Sequence, residues 1–530
     1  MFRNRFLFVS IACIVFFMQA LSAQPPKNLS LLSTLSFPGT LAGCWHYEDG
    51  QGHEYALVGT DVGVTIVDVT NPATPTILFQ PPGVQSLWHE VKVQGDYAYA
   101  VSEGVDPNNT NNGLQIIDLR YLPDSIHYKF YTGDGAIQNM LTKAHTVTTA
   151  GNYVYINGHN ISSLGNGVLI CDISDPWNPQ YVGAVTLNYC HDSYVRGDTI
   201  WTSDIQAGQF SVYNISNRAN PLLLATQQTP GQFNHNTWLS DDGNTIFTTD
   251  ERSGEPLASY DVSDLSNISF LDDYFTTNMP ANEVHNVRVF NDFLLCPSYG
   301  SELTIVDALR PSNLIEVGNY TTGSSLCWDA DPYFSSGIVV ATDMSSGTFY
   351  VFQPTYKRAC YLEGNVTDSI TGLIINGAEI SIVGTTVLQN SNSSGEYKTG
   401  YTDSGTYTVT CTKTGYNTKT INGVNLSNGI LTTLDFQMVP LGAGVGEEKP
   451  KNIFKISPNP CSDKLSIHFE AESISMVRLL NSAGQLISEV SKSGQHSGTL
   501  ELMVDQLPAG LYFLEAITAS GTYKQKFQKL

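Results

Sequence analysis

The chain has 530 residues, more than one hydrophobic core usually supports, so several domains are expected. Its formal net charge of −23, from 26 basic and 49 acidic residues, argues against nucleic acid or an anionic membrane surface as a partner, because both require a basic patch. Only 14% of residues are charged, and the 27 Tyr and 23 Phe residues, with plentiful Gly and Pro, favour many short strands joined by tight turns.

The N-terminus has the layout of a cleaved secretory signal. Arg3 and Arg5 precede an apolar run from Phe6 to Met18, and small residues lead to Ala23. The run is shorter than the ~20 apolar residues of a membrane-spanning helix, which is the alternative interpretation. We therefore predict that residues 1–23 are removed, and we expect no transmembrane segment in the mature chain. Of the nine cysteines, only Cys13 is lost with the signal, and the disulfide pairing of the rest is open.

A short unit recurs along residues 24–356. Each copy has a glycine-marked turn, an alternating apolar strand that mostly ends in Asp, and an exit that usually contains Pro. Seven copies occur, at residues 59–75, 112–120, 166–179, 208–221, 256–267, 301–313 and 347–354. Since one such unit cannot bury its apolar face alone, the pattern predicts a repeat architecture. With the preceding hairpin, each unit supplies four antiparallel strands, so we predict a seven-bladed β-propeller.

The two ends of this region complement each other. The seventh unit ends at Phe352 with only three strands, whereas the segment from Leu29 to Phe37 precedes the first unit as a strand without a partner. We predict that this N-terminal strand completes the last blade, because that pairing removes two exposed sheet edges.

The repeat strings resemble a known family. GTDVGVTIVDVTNP and NGLQIIDLRYLP resemble the LVIVD-repeat proteins, and the order of the copies resembles the secreted choice-of-anchor B family from about Leu29 to Phe352. This resemblance implies a secreted propeller and brings no established catalytic residues.

Residues 357–440 follow a different pattern. LEGNVTDSITGLIINGAEISIVGT and GTYTVTCTKTGYNTKT resemble the carboxypeptidase regulatory-like domain, which implies a small β-sandwich of accessory function. A disulfide between Cys360 and Cys411 is conceivable in such a module. Residues 441–452 are small, charged and Pro-containing, which is typical of a flexible linker.

Residues 453–530 strongly resemble the type A C-terminal sorting domain of the type IX secretion system. This resemblance implies a second small β-sandwich, the type IX translocon as a partner, and passage from the periplasm to the outer face of the outer membrane or into the medium. The residues that carry the motif are Pro458, Asn459, Pro460, Gly510 and Tyr512.

The repeat histidines are the main candidates for a binding site. His46, His89, His145, His191, His235 and His285 are each expected to open the first strand of a blade, and Trp328 takes that place in the seventh. The second strand ends in an acid in five repeats. The predicted rim residues are His89, His145, His191, His235, His285, Trp328, Asp61, Glu103, Asp204, Asp250 and Asp343.

Two interpretations of this rim stay open. In the favoured one, each histidine donates a hydrogen bond to the backbone or to its neighbouring acid and braces its blade. In the other, a subset of the histidines binds a divalent metal, since imidazole and carboxylate are metal ligands. Six histidines spread around a wide ring are not expected to converge on one ion, so no ligand set and no cofactor is assigned. Trp45, Trp88 and Trp328 are candidates for an aromatic floor that binds sugars, or for core packing.

We therefore predict a secreted or cell-surface binding protein whose propeller recognises an extracellular protein or glycan. A metal-assisted hydrolase or lyase at the propeller mouth, and a structural surface component, are the alternatives. The chain has no GxSxG or HExxH motif, so a non-enzymatic role is favoured.

Overall fold

The structure is a computed structural model that describes residues 25–108, 110–276, 283–300, 302–323, 326–441, 454–469, 474–491, 498–518 and 521–530. The predicted signal peptide, and the predicted linker apart from Leu441, lie outside these residues. The chain divides into two compact units, Met1–Pro440 and Leu441–Leu530. The described residues form strands with a few short 3-10 turns, which confirms the all-β class, and none of their helices is long and apolar enough to cross a membrane.

The first unit begins with strand β1 (Leu29–Ser36) and continues with seven antiparallel sheets. The first three sheets contain β2 (Leu41–Glu48), β3 (Glu54–Thr60), β4 (Gly63–Asp68) and β5 (Thr76–Phe79); β6 (His89–Gln94), β7 (Tyr97–Ser102), β8 (Leu114–Asp118) and β9 (His127–Tyr131); and β10 (Thr146–Ala150), β11 (Tyr153–Asn157), β12 (Val168–Asp172) and β13 (Gln180–Val185).

The next four sheets have the same strand order. They contain β14 (Asp192–Arg196), β15 (Thr199–Asp204), β16 (Gln209–Asn214) and β17 (Leu222–Gln228); β18 (Asn234–Leu239), β19 (Thr245–Asp250), β20 (Leu257–Asp261) and β21 (Ser269–Tyr274); β22 (Glu283–Val284), β23 (Arg288–Phe290), β24 (Phe293–Tyr299), β25 (Glu302–Asp307) and β26 (Ile315–Thr321); and β27 (Cys327–Asp331), β28 (Val339–Asp343) and β29 (Thr348–Pro354). Among the described residues, three 3-10 turns interrupt the loops, at Gly135–Ile137, Ser162–Leu164 and Ile205–Ala207.

The N-terminal strand completes the last of these sheets. Strand β1 pairs antiparallel with β29, in a register that runs from Leu29 opposite Pro354 to Ser36 opposite Thr348. The prediction that the N-terminal strand pairs with the last unit is therefore confirmed.

The sheets follow one another around a closed circuit. Apolar clusters join successive sheets, and one cluster joins Val58 of the first sheet to Phe349 and Val351 of the seventh. The sheets bury both faces, so strand β3, with the sequence EYALVGT, is buried along its whole length. The fourth strand of a sheet lies on the outside, and β17 is accordingly mostly exposed.

Two further sheets follow within the first unit. Strands β30 (Cys360–Asp368), β33 (Glu396–Tyr401), β36 (Leu431–Thr433) and β37 (Phe436–Met438) form one sheet, and β31 (Glu379–Ile382), β32 (Leu388–Asn390), β34 (Gly405–Thr412) and β35 (Lys419–Leu426) form the other. Both sheets contribute to one apolar cluster. Cys360 and Cys411 belong to this cluster as free thiols, so the suggested disulfide between them is not formed.

Ion pairs fix this module to the seven-sheet region. Asp403 accepts hydrogen bonds from Lys27 at 3.2 Å and from Lys357 at 2.7 Å. The guanidinium of Arg358 lies 2.7 Å from the buried carboxylate of Asp307. The two parts therefore pack as one compact body.

The second unit is a smaller pair of sheets. Strands β38 (Phe454–Ser457), β39 (Lys464–Phe469) and β42 (Gly498–Met503) form one, and β40 (Ile474–Leu480), β41 (Leu486–Ser491), β43 (Gly510–Thr518) and β44 (Thr522–Lys529) form the other. Residues of both sheets, including Ile467 and Leu514, pack into a single apolar cluster.

Candidate functional site

Five of the six repeat histidines occupy equivalent places at the start of the first strand of their sheets. His89 begins β6, His145 and His191 directly precede β10 and β14, His235 is the second residue of β18, and His285 follows β22. Trp328 is the second residue of β27.

The first sheet departs from this pattern. His46 is the sixth residue of β2, so the prediction that it opens the strand was wrong. Ala42 takes the equivalent place: it packs against Trp328, and its carbonyl accepts a hydrogen bond from Thr342 Oγ1 at 2.6 Å. The carbonyl of His285 likewise accepts one from Thr249 Oγ1, at 2.8 Å.

Four of the histidine rings lie side by side, tilted by 43° to 57° against their neighbours, and we call these four residues the histidine stack. The ring centroids of His145 and His191 are 4.0 Å apart, and those of His191 and His235, and of His235 and His285, are each 4.1 Å apart. The expectation that the rim histidines stay spread around a wide ring was therefore wrong for these four. Two tryptophans complete a circle: Trp328 lies 4.6 Å from His285 and 5.7 Å from Trp88, which in turn lies 5.5 Å from His145. We call these six residues the aromatic ring.

The Nδ1 atoms of three repeat histidines are held by the backbone. Nδ1 of His89 lies 2.6 Å from the Thr60 carbonyl, that of His191 lies 3.0 Å from the His235 carbonyl, and that of His285 lies 2.7 Å from the Trp328 carbonyl. A carbonyl oxygen only accepts hydrogen bonds, so Nδ1 carries the proton in these three rings and Nε2 carries a lone pair.

Of the five predicted acids, one contacts a repeat histidine. Glu103 Oε1 lies 2.9 Å from Nδ1 of His145. This hydrogen bond holds the pKa of the Glu103 carboxyl below its usual range. The other four acids are within hydrogen-bonding distance of loop or strand groups instead: Gln85 Nε2 for Asp61, Asn188 Nδ2 for Asp204, Thr229 Oγ1 for Asp250, and the Ser345 and Ser346 amides for Asp343.

A second acid beside the histidine stack, Glu251, was missed by sequence reasoning. Glu251 directly follows Asp250, and its Oε1 lies 3.9 Å from His285 Nε2. One ligand atom from each of His191, His235 and Glu251 lies within 4.8 Å of the other two. Adjacent side chains of a strand point in opposite directions, so Asp250 and Glu251 cannot both face the loop that precedes β18. Asp250 faces that loop. The second acid of this Asp-Glu pair was therefore the available signal.

A buried layer of charge lies beneath the aromatic ring. Glu90 Oε1 accepts a hydrogen bond from Trp328 Nε1 at 2.9 Å, and Arg288 Nη2 lies 2.9 Å from Asp329 Oδ1. Glu90 and Asp329 each directly follow the repeat position in their strands. Between this layer and the ring is a cavity of about 10 Å³, which is the space of roughly one water molecule or ion.

Burial makes the imidazoles poor bases toward protons. Desolvation lowers the pKa of His285 to about 3 and that of His89 to about 4, and it lowers the pKa values of His191 and His235 well below the usual range. These four rings are therefore neutral at physiological pH. Burial raises the pKa of Glu251 to about 7, and the nearby charge of Glu283 adds to that shift.

A second aromatic group lies further along the first strands. Trp45 and Trp238 each follow the repeat position of their strand by three residues, which is about 10 Å along a strand. Tyr333 lies 5.7 Å from Trp45 and 6.2 Å from Trp238, and Tyr194 lies 4.9 Å from Trp238. We call these four half-buried residues the aromatic platform. Trp45 thus does not join Trp88 and Trp328 in one floor.

The predicted sorting-motif residues lie in the second unit. The Asn459 side chain donates to the Lys526 carbonyl at 3.1 Å and accepts from the Gln528 amide at 2.9 Å. Pro458 and Pro460 flank it, and Gly510 begins β43. The Tyr512 hydroxyl donates to the Pro508 carbonyl at 2.8 Å, and its ring stacks on Phe527. These residues brace the last strands.

Comparisons with known proteins find three family models that match parts of the chain. The LVIVD repeat model matches residues 53–80, 142–186 and 283–322. The carboxypeptidase regulatory-like domain model matches residues 361–439, and the secretion system C-terminal sorting domain model matches residues 455–529. No curated protein matches the chain. A crystal structure of the Cps50 (Swd1) β-propeller domain of Myceliophteria thermophila matches with 10% identity and a TM-score of 0.44, covering 61% of this chain and 99% of that one.

The chain is therefore an all-β protein that contains LVIVD repeats and a carboxypeptidase regulatory-like domain. It ends in a type IX sorting domain, which implies export to the cell surface or the medium.

Proposed function

We propose that this protein is an exported binding protein whose seven-bladed propeller recognises a glycan at the aromatic platform. The closed circuit of seven sheets supports the blade count, and the paired sheets of the two smaller modules support two β-sandwiches. The secreted choice-of-anchor B family, which has LVIVD repeats, fits this organisation. The sorting domain supports the outer face of the outer membrane, or the medium, as the place of action.

The platform carries the proposal of a glycan ligand. Aromatic rings pack against the C–H faces of sugars while nearby polar groups bind the hydroxyls, so sites of this kind combine both. Trp45 and Trp238 are half-buried, which leaves part of each ring in solvent. Buried cations lie over the same rings: Lys92 Nζ is 4.4 Å from the Trp45 centroid, and the Arg288 guanidinium is 4.8 Å from the Trp238 centroid.

Polar groups that can contact hydroxyls surround these rings. The Tyr194 hydroxyl accepts a hydrogen bond from Arg196 Nη2 at 2.8 Å, and Arg196 Nη1 donates to the Asp241 carbonyl at 3.2 Å. His46, whose side chain is 27% exposed, lies beside Trp45. The combination of ring faces with donors and acceptors favours a sugar over an apolar ligand.

The test is binding of the purified mature chain to an array of purified oligosaccharides. Trp45→Ala and Trp238→Ala should each weaken binding up to about tenfold, since one aromatic contact contributes about 0.5–1.5 kcal/mol. Trp177→Ala is the matched control, because Trp177 is a half-buried tryptophan outside the platform. Equal losses in all three variants, or binding to a protein and to no glycan, would refute the glycan assignment.

A metal-assisted hydrolase or lyase is the second candidate function. It is favoured by one observation, the grouping of His191, His235 and Glu251. Turnover of an oligosaccharide that binds the array, abolished by a chelator and restored by a divalent cation, would support this function over simple binding.

A further inference from the structure

The histidine stack presents bare lone pairs to one another. Nδ1 of His191 donates to the His235 carbonyl, and Nδ1 of His145 donates to the Glu103 carboxylate. Each ring, when neutral, therefore has its lone pair on Nε2. Yet the two Nε2 atoms lie only 2.6 Å apart. Two facing lone pairs would repel each other, so either a proton on one Nε2 or a cation beside the two atoms must relieve this contact.

Another Nε2 atom of the stack lacks a hydrogen-bond partner in the part of the chain that the structure describes. The Nε2 atom of His285 is buried and has no hydrogen-bond partner among the described residues, and its Nδ1 is held by the Trp328 carbonyl. An unpaired buried nitrogen costs about 1–3 kcal/mol. Metal-binding histidines have this arrangement, in which the second ring nitrogen donates to a carbonyl or carboxylate and thereby fixes the tautomer.

We propose that His191, His235 and Glu251 bind a divalent transition-metal cation, with Zn²⁺ as the best fit to their donor atoms. Imidazole nitrogen and carboxylate oxygen are the ligands that zinc takes when no thiolate is present. His145 and His285 flank the site on either side of the stack. This inference is independent of glycan binding at the platform.

The geometry needs only a small adjustment. The three donor atoms lie within 4.8 Å of one another. Around a tetrahedral ion with ligand distances of about 2.1 Å, donor atoms lie about 3.4 Å apart, so each must move by roughly 1 Å or less. Glu251 lies just beyond the end of β19, and its side chain is 29% exposed. It can therefore close on an ion that enters from solvent, and a fourth coordination position stays open.

The surrounding charge favours a cation. Glu103, Glu90, Asp192 and Asp329 lie in or beside the stack and the cavity beneath it. Two cations are near them: Arg288 pairs with Asp329 at 2.9 Å, and Lys92 interacts with Glu90. Carboxylates therefore outnumber cations among these groups, which offsets part of the cost of bringing a divalent ion into a buried site.

The experiment uses the full mature chain, stripped with a chelator and reloaded with ZnCl₂. We expect one equivalent of zinc after gel filtration, measured by elemental analysis, and a visible Co²⁺ spectrum when cobalt replaces zinc. Glu251→Gln, at a partly exposed position, and His191→Gln should each weaken zinc binding by more than the roughly 10–100-fold that loss of an outer partner causes. Glu103→Gln, which acts through His145, should fall within that range.

His89→Gln is the matched control. His89 is buried in the equivalent strand position and has the same Nδ1–carbonyl contact, but it is not among the three ligands. It should retain one equivalent of zinc. Failure of the parent chain to bind zinc, cobalt, copper or manganese stoichiometrically would overturn the proposal. Zinc binding that survives both Glu251→Gln and His191→Gln would overturn it as well.

Discussion

Leu29, at the start of β1, contributes to closure of the sheet circuit. Leu29 is 2% exposed and belongs to a cluster that includes residues of the sixth and seventh sheets, such as Phe352, and Tyr361 of the following module. Leu32, on the same strand, is 38% exposed. Leu29→Ala should therefore destabilise the first unit, and Leu32→Ala should not.

The size of the effect follows from the burial of Leu29. Replacement by Ala removes three carbon groups, each worth about 0.8 kcal/mol of transfer free energy, which gives about 2.4 kcal/mol. The cavity left behind adds to this loss, so we expect a total of about 2.5–4 kcal/mol. An exposed substitution such as Leu32→Ala usually changes stability by less than about 0.5 kcal/mol.

Urea unfolding followed by tryptophan fluorescence measures this difference. All six tryptophans lie between Trp45 and Trp328, so the signal reports the seven-sheet region alone. The midpoint of Leu29→Ala should fall well below that of the parent, and the slope of the transition should be unchanged. Equal midpoints for Leu29→Ala and Leu32→Ala would show that β1 does not hold the circuit closed.

Three further predictions concern export, pH and the histidines. Truncation after Val439 should leave folded protein in the periplasm of a host with the type IX system, and fractionation showing normal surface levels would contradict this. Burial lowers the pKa of His46, but the charge and hydrogen bond of Asp331 raise it by more, so its net pKa lies above the usual value. The ion pair therefore stabilises the fold fully below the unfolded-state pKa of about 6.5, and it loses this contribution as pH rises through the folded-state pKa. His46→Gln should accordingly cost more free energy of unfolding at about pH 5.5 than at about pH 9. Equal costs at both pH values would refute the pairing. In metal-free buffer, His89→Gln and His191→Gln should each lower the free energy of unfolding by about 1–3 kcal/mol, because each leaves a buried carbonyl without its donor, and a cost below that range at either position would argue against bracing.

The strand pattern was predictable because burial on both faces imposes it. Second and third strands such as EYALVGT in β3 are mostly apolar and bounded by turn residues, so they can be recognised one unit at a time. The register of the first sheet could not be found in this way. The repeat position of this sheet is Ala42, which is neither a histidine nor an aromatic residue. His46 lies nearby and resembles a repeat histidine in the sequence, although its ring contacts Asp331.

The convergence of the histidines was not predictable from spacing. A repeat fixes the position of a residue along each strand, but it does not fix the distance of the side chain from the axis of the sheet circuit. That distance depends on how closely the sheets pack and on which rotamers the neighbouring rings allow. The 4.0 Å separation of His145 and His191 is therefore a property of the assembled sheets. Glu251 was missed because it lies beyond the regular end of its strand, where the repeat no longer fixes the direction of a side chain.

Bracing and metal binding do not exclude each other as roles of the repeat histidines, because an imidazole has two nitrogens. In His191 and His285, Nδ1 donates to a carbonyl of the next sheet, so each ring links neighbouring sheets through the backbone. That hydrogen bond also fixes the tautomer and directs the Nε2 lone pair inward. His89 has the same brace without a carboxylate such as Glu251 beside it in the metal group. A histidine that braces through Nδ1 can therefore still bind a metal through Nε2, and the proposed site uses only histidines that lie near Glu251.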